Sequence, residues 1–340
     1  MPRKLVLSVL DQSPIPAGGD PASALRSSIE LAQLAERLGY RRYWVAEHHS
    51  SAGLAGAAPE ILIARIAAAT ESIRVGSGGV MLSHYSPLKV AEQFRVLEAL
   101  YPGRIDLGIG RAPGSDRRTA AALAHGPGAL GIEHFGEQIA DLAAYVHDAV
   151  PADHPFSDVR AMPAGPSAPD IWLLGSSDQS AAYAAHFGLA FAFAHFINPV
   201  GGQMVMRAYK QYFRASEYLP EPTGAVGISV ICAETAERAE ELAGSIHLWR
   251  LKNETGHPGP VPSLEEVRSY PYTDHDRAII ERNRGRTIVG DPATCRARLE
   301  EMAQAYDVDE MIVVTIVHDQ AGRFRSYELL AKEVGLAGNG

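Results

Sequence analysis

The chain has few cysteines, no long hydrophobic run and no surplus of basic residues, and each shortage removes a class of function. Its two cysteines, Cys232 and Cys295, lie far apart without metal-site spacing and define no disulfide scaffold. No segment approaches the roughly 18 consecutive apolar residues of a membrane span. The apolar run at the N-terminus stops at Asp11 and is too short for a signal peptide. We therefore expect a cytoplasmic protein.

The charge balance is acidic, which bears on the choice of partner. A formal net charge of −9 argues against nucleic acid or an anionic membrane as a binding partner. Hydrophobic residues make up 46% of the chain and charged residues 21%, as in ordinary globular proteins. A length of 340 residues is long for one common domain but normal for an α/β barrel with insertions.

Short apolar segments alternate with helical patterns along the chain, which is typical of βαβ units and a parallel sheet. Helix start signals such as Asp20-Pro21 and Asp291-Pro292 support the alternation. The pattern predicts a single α/β domain over residues 1–340, a (β/α)8 TIM-type barrel with insertions. A six-stranded open sheet with a cap is the alternative. The eight predicted strands begin at Leu5, Tyr43, Ile73, Ile105, Ile171, Leu189, Val226 and Met311, and the sixth extends to Phe196.

Two stretches are too long for ordinary barrel loops. Residues 151–169 are rich in proline and alanine, and residues 252–286 are polar with four prolines. Because the second stretch follows the seventh strand unit, we interpret it as a lid over an active site. A surface excursion is the simpler interpretation.

Polar residues and glycines follow the predicted strands, where a barrel places its catalytic groups. The strongest cluster is Glu47-His48-His49 after the second strand. A carboxylate beside a histidine at this rim favours acid–base chemistry over a structural role. No further ligand lies at metal-site spacing, so we predict no metal site.

Other strand ends indicate a phosphate and a flat ring as ligands. Gly175-Ser176-Ser177, with Ser180, opens a helix directly after a strand, where free N–H groups and hydroxyls bind phosphate. Arg111 at the next strand end could supply the countercharge, although a serine N-cap is the simpler interpretation. Glycines such as Gly78-Gly79 let a flat ring approach the backbone, or merely permit turns.

An ordered set of segments resembles the luciferase-like monooxygenase family. It comprises Ala46–His49, Gly76–Leu82 and Gly103–Arg111, continued by Gly175-Ser176-Ser177 and Gly290-Asp291-Pro292. The resemblance spans nearly the whole chain. It implies reduced FMN lying across the C-terminal rim of the barrel.

The resemblance also implies roles for individual residues. Gly78-Gly79 would form a cis peptide under the flavin ring, and His48, beside Glu47, would be the acid–base catalyst. Gly110 stands where true luciferases carry a cysteine, which argues against light emission. We also include the strand-end residue Asp11 among the cofactor-binding residues. The complete predicted cofactor set is Asp11, Gly78, Gly79, Gly110, Arg111, Gly175, Ser176, Ser177, Ser180 and His195.

The implied function is a homodimeric monooxygenase that takes reduced FMN from a separate flavin reductase and uses O2 on a small organic substrate. Two alternatives remain: hydride transfer from a deazaflavin on the same fold, and a non-catalytic flavin-binding protein. Met81, Tyr85 and Phe196 indicate an uncharged substrate, but core packing explains them equally well. The sequence does not identify the substrate.

Overall fold

A closed ring of eight parallel strands forms the centre of the molecule, in a computed structural model that describes residues 5–111, 116–124 and 131–337. The strands in these ranges are β1 (Val6–Asp11), β2 (Arg42–Val45), β3 (Arg74–Ser77), β4 (Val80–Met81), β5 (Ile105–Gly110), β6 (Asp170–Gly175), β7 (Ala190–Ala194), β8 (Gly224–Cys232), β9 (Thr287–Gly290) and β10 (Glu310–Val314). Strand β10 pairs with both β8 and β1, which closes the ring in the order β1-β2-β3-β5-β6-β7-β8-β10. The predicted (β/α)8 barrel is confirmed, and the open sheet is wrong.

Two short strands lie outside this ring. Strand β4 pairs with β5, and β9 pairs with the C-terminal half of β8, from Ser229 opposite Thr287 to Cys232 opposite Gly290. Strand β7 ends at Ala194, not at Phe196 as the sequence pattern predicts. It pairs only with the N-terminal half of β8. Strand β9 therefore takes the place of β7 at the carboxyl end of the barrel.

Helices surround the barrel, and their ends follow the predicted signals. Asp20 accepts a hydrogen bond from the Ser23 backbone N–H, with Pro21 in the first turn. Asp291 caps its helix in the same way through the Thr294 N–H. The helices in the described ranges are α1 (Pro21–Arg37), α2 (Pro59–Ala67), α3 (Pro87–Leu100), α4 (Arg117–Leu123), α5 (Phe135–Val146), α6 (Asp178–Phe187), α7 (Gly202–Tyr212), α8 (Ala236–Glu254), α9 (Leu264–Ser269), α10 (Asp274–Asn283), α11 (Pro292–Tyr306) and α12 (Gln320–Val334). None of these helices is long and apolar enough to cross a membrane.

The stretch 252–286 is largely helical instead of a polar loop. It contains the last residues of α8 and the helices α9 and α10, and α10 packs on α8 through Ile279 against Leu248 and Leu251. Before α9, Val261 pairs with the loop after β1 through hydrogen bonds with Ile15 and Ala17. These contacts hold the stretch beside the carboxyl-end rim.

The core has an outer layer between strands and helices and an inner layer inside the barrel. In the inner layer, Trp44 and Trp172 meet edge to face with ring centroids 5.3 Å apart. At the amino ends of the strands, buried Arg42 forms ion pairs with Asp106 at 2.8 Å and Glu310 at 2.7 Å. These ion pairs occupy the amino end of the barrel interior, whereas the catalytic groups predicted from the sequence lie at the carboxyl ends of the strands.

Candidate functional site

A cavity of about 420 Å³ opens into the barrel at the carboxyl ends of the strands. Much of its wall is apolar, because the inward residues of the strands there include Leu10, Trp44, Leu174 and Ile312. Eight of the ten predicted cofactor residues line this cavity. They are Gly78, Gly79, Gly110, Arg111, Gly175, Ser176, Ser177 and Ser180.

Glycines shape one wall of the cavity, and at Gly78 and Gly79 there is no room for a side chain. A Cβ at Gly78 would lie 2.5 Å from Leu10 Cδ1, and one at Gly79 would lie 2.7 Å from the Gly108 carbonyl oxygen. The peptide bond between Gly78 and Gly79 is cis, as the resemblance implied. Among the described residues, a Cβ at Gly110 would meet only Met81 Sδ, at 3.7 Å, so they leave space for a side chain there. The backbone itself therefore forms a smooth wall on which a flat ring can lie.

Polar groups gather at one end of the cavity, at the start of α6. Ser177 is the N-cap of α6, but its hydroxyl makes no capping hydrogen bond and lies 3.5 Å from the Ser180 hydroxyl. The guanidinium of Arg111 donates to the side-chain oxygen of Gln179 on the same helix. A cation, two hydroxyls and a helix N-terminus together favour a phosphate group.

Glu47 lies behind the cavity wall. Its carboxylate accepts hydrogen bonds from the Met81 backbone N–H at 2.9 Å and the Tyr85 hydroxyl at 2.6 Å. His49 Nε2 lies 2.6 Å from the same carboxylate. Burial, and then the hydrogen bond to Glu47, raise the pKa of the Tyr85 hydroxyl, which keeps it a hydrogen-bond donor. These contacts connect the end of β2 to the cavity wall at Met81.

His48 lies partly buried beside this network but is not among the lining residues. Its backbone N–H donates to Gly56, and its Nδ1 makes no hydrogen bond in the described part of the chain. Burial, and then the neighbouring His49, lower the pKa of His48 to about 4, so the ring is neutral at neutral pH. A pKa this low means that the ring resists protonation at neutral pH and is a weak base there.

Two predicted cofactor residues, Asp11 and His195, point away from the cavity. The fully buried Asp11 carboxylate pairs with Arg323 at 2.6 Å and accepts from the Tyr43 hydroxyl at 2.5 Å. Its burial opposes ionisation, but the Arg323 charge prevails and lowers the pKa of the carboxyl. This satisfied ion pair joins β1 to α12, and in the described chain neither oxygen faces the cavity.

His195 lies between two cavity residues, Ala194 and Phe196, and faces the other side. Its Nε2 contacts the Gly285 carbonyl oxygen at 3.1 Å, and its Nδ1 contacts the Tyr306 hydroxyl at 2.7 Å. A carbonyl only accepts, so Nε2 carries the proton and Nδ1 accepts from Tyr306. His195 thus attaches residue 285 of the stretch 252–286 to the rim.

The sequence reasoning missed some of the residues around the cavity. The period-two alternation of β2 and β6 is a signal that could have found Trp44 and Leu174. No sequence signal identifies Gln179 as the partner of Arg111. Among the described residues, no group of three or more His, Cys, Asp or Glu could hold a metal ion.

Comparison with known proteins decides the family. The sequence profile of the luciferase-like monooxygenases matches residues 6–308. The chain belongs to this family. Relatives from Bacillus subtilis include the protein YceB, 48% identical over 96% of this chain and 98% of its own length. An N-acetyl-S-alkylcysteine monooxygenase from the same organism is 37% identical over 96% of this chain and 98% of its own length.

Several solved structures share the fold. The structure of apo-MsnO8 is 41% identical, with a TM-score of 0.90 and full coverage of both chains. An FMN complex of the oxygenating constituent of 3,6-diketocamphane monooxygenase from Pseudomonas putida is 19% identical, with a TM-score of 0.71 and 97% of each chain covered. An F420-dependent secondary alcohol dehydrogenase is 14% identical, with a TM-score of 0.70, and covers 97% of this chain and 99% of its own. At 19% and 14% identity the likeness shows the fold alone. The first of these two structures contains FMN, and the second contains an F420 adduct.

Proposed function

We propose that this protein is a monooxygenase that uses reduced FMN and O2 on a small organic substrate, with a separate flavin reductase as transient supplier. One oxygen atom enters the substrate, the other leaves as water, and reduced FMN supplies the two electrons. The observation that carries the proposal is the cavity itself. It combines a side-chain-free wall at Gly78, Gly79 and Gly110 with an anion-binding end at Arg111 and Ser177.

The residues present fit FMN. The ring would lie against the glycine wall, and the phosphate would be held by Arg111, Ser176, Ser177 and Ser180. When bound, the reduced flavin supplies the electrons and the site at which O2 is activated. The chain supplies a position for the ring and a mostly apolar enclosure that excludes water.

We keep His48 as the candidate acid–base group, with Glu47 fixing the adjacent wall. His48 is neutral at neutral pH, and its pKa of about 4 makes the ring a weak base, so the proposal for this residue rests on the family resemblance. The stretch 252–286 is the proposed lid, since the contact of Gly285 with His195 brings it to the rim. No described residue of this stretch lines the cavity, so closing it would require the stretch to move.

The proposal for the substrate class is supported by one relative. We propose an N-acyl thioether amino acid, because a relative of 37% identity over nearly the full chain is an N-acetyl-S-alkylcysteine monooxygenase. The apolar wall at Met81 and Phe196 would accept the alkyl part of such a molecule.

The test compares the two flavins directly. Purified protein is titrated with FMN and with the deazaflavin F420, and substrate-dependent O2 uptake is then measured with each cofactor in its reduced form. We expect FMN to bind and N-acetyl-S-methylcysteine to gain one oxygen atom per O2 consumed. Hydride transfer with F420 and no O2 uptake would establish the deazaflavin alternative. Flavin binding without any turnover would point to a non-catalytic flavoprotein.

A further inference from the structure

Arg250 on α8 is a partly buried cation that forms no ion pair with any described residue. Its Nη1 donates to the Thr287 hydroxyl at 2.6 Å, which is its one hydrogen bond within the described chain. Two other enclosed arginines are neutralised, Arg42 by Asp106 and Arg323 by Asp11. A third, Arg95, is instead satisfied by backbone carbonyl oxygens, which Arg250 lacks in the described part of the chain. A guanidinium withdrawn from water without an anion is costly, so an anionic ligand is expected at such a position.

Arg250 reaches the barrel interior directly above the cavity. Thr287 on β9 is the register partner of Ser229 on β8, so their side chains share a face. That face is the inward one, because Ser229 lies two residues beyond Gly227, which lines the cavity. At about 3.3 Å per residue, Ser229 lies roughly 6.6 Å closer to the rim than Gly227.

The polar atoms around Arg250 have unused bonding capacity. The Ser229 hydroxyl is fully buried and, among the described residues, has no hydrogen-bond partner. His247, one helical turn before Arg250, is 8% exposed and has no partner at either ring nitrogen in the described part of the chain. A buried polar group without a partner normally marks a missing ligand or water.

The local charge is positive. Burial, and then the neighbouring Arg286, lower the pKa of Arg250 to about 10. The nearby carboxylate of Glu254 is already bound, by Arg282 at 2.6 Å and by Asn283 at 2.6 Å. Arg250 thus remains charged at neutral pH, and the adjacent carboxylate is shared among other donors.

We propose that Arg250, Thr287 and Ser229 bind a carboxylate of the organic substrate. The inference rests on the proposed function and specifies which part of the substrate lies where. One guanidinium and two hydroxyls match a single negative charge. The apolar cavity one layer below then receives the uncharged part of the molecule.

The test compares an acid with its uncharged ester. Binding of N-acetyl-S-methylcysteine and of its methyl ester to the FMN-loaded protein is measured by calorimetry, and KM and kcat are measured for both. The variants are Arg250→Ala and Arg250→Lys. The matched control is Arg238→Ala on the same helix, where the arginine pairs with Glu241 and Asp319 away from the cluster.

We expect the wild type to prefer the acid and Arg250→Ala to lose about 10- to 100-fold in acid affinity, the usual effect of removing a hydrogen bond to a charged group. Ester binding should stay unchanged, Arg250→Lys should restore part of the preference, and Arg238→Ala should resemble wild type. An acid-to-ester ratio that Arg250→Ala leaves unchanged would overturn the inference, as would wild-type protein that binds neither compound. Acid-selective binding without O2 uptake would support the carboxylate site and contradict the monooxygenase proposal.

Discussion

Gly110 and Gly79 lie on the same cavity wall but differ in the space around them. A Cβ at Gly110 has open space, whereas one at Gly79 would lie against the Gly108 carbonyl oxygen. We expect Gly110→Ala to keep the fold and most FMN affinity. Gly110→Leu should keep the fold but weaken FMN binding at least about tenfold, because its side chain fills the space proposed for the ring. Fluorescence titration with FMN measures this.

Thermal unfolding of the same variants distinguishes a blocked FMN site from a destabilised fold. Gly79→Ala should lower the melting temperature, since a backbone oxygen cannot move aside as a side chain can. Gly110→Leu should melt close to wild type. If Gly110→Leu binds FMN as tightly as the wild type, the flavin does not lie on this wall.

At the residue scale, the sequence predicted position along a strand better than the direction of a side chain. Gly78, Gly110, Arg111 and Ser177 were found because strand ends and helix starts are visible in the chain. His195 sits at a strand end too, yet it turns toward Tyr306. Where a strand ends and the chain leaves the sheet, the period-two alternation no longer determines which way a side chain points.

At the element scale, the helices of the stretch 252–286 had readable signals. Ser263 caps α9 through the Glu266 N–H, and Thr273 with Asp276 forms a capping box on α10. Prolines and polar residues obscured these signals, because the apolar contact that stabilises α10 is a single buried isoleucine, Ile279. Strand β9 has only four residues, so its hydrogen-bond pairing with β8 is not visible in the sequence.

Helix α8 should make stability depend on pH through His247. Burial, and then the charges of Arg250 and Arg284, lower the pKa of this histidine from 6.5 to about 4. Between these values the unfolded chain binds a proton that the folded chain does not. The free energy of unfolding therefore falls as pH drops from about 6.5 to 4, by up to roughly 3 kcal/mol for this one group.

Urea unfolding between pH 4.5 and 7.5 measures this dependence. His247→Gln should flatten the pH profile, whatever its effect on stability at pH 7. His275→Gln is the matched control, since His275 is exposed on α10 and should leave the slope unchanged. Equal slopes in wild type and His247→Gln would contradict the assignment.

At the scale of the whole molecule, the closed barrel was predictable because its eight repeated units are long and strongly patterned. The way in which two copies of the chain assemble was not predictable, since an exposed apolar residue has the same sequence pattern as an apolar residue that faces a partner. Helix α3 leaves Val96 and Leu100 45% and 62% exposed one turn apart, and neighbouring α2 exposes Ile61 at 70%. We propose that these helices form the homodimer interface that the family resemblance implied.

The double substitution Val96→Glu and Leu100→Glu should separate the dimer into monomers. Each apolar side chain buried between two chains contributes about 1.5–3 kcal/mol, and a buried carboxylate without a partner adds a further cost. In light scattering after gel filtration, the wild-type protein should have twice the chain mass of 36.5 kDa. The double variant should have the mass of a single chain. Met204→Glu, which changes a residue 68% exposed on α7, should remain dimeric. A monomeric wild type, or a double variant that stays dimeric, would place the interface elsewhere or remove it.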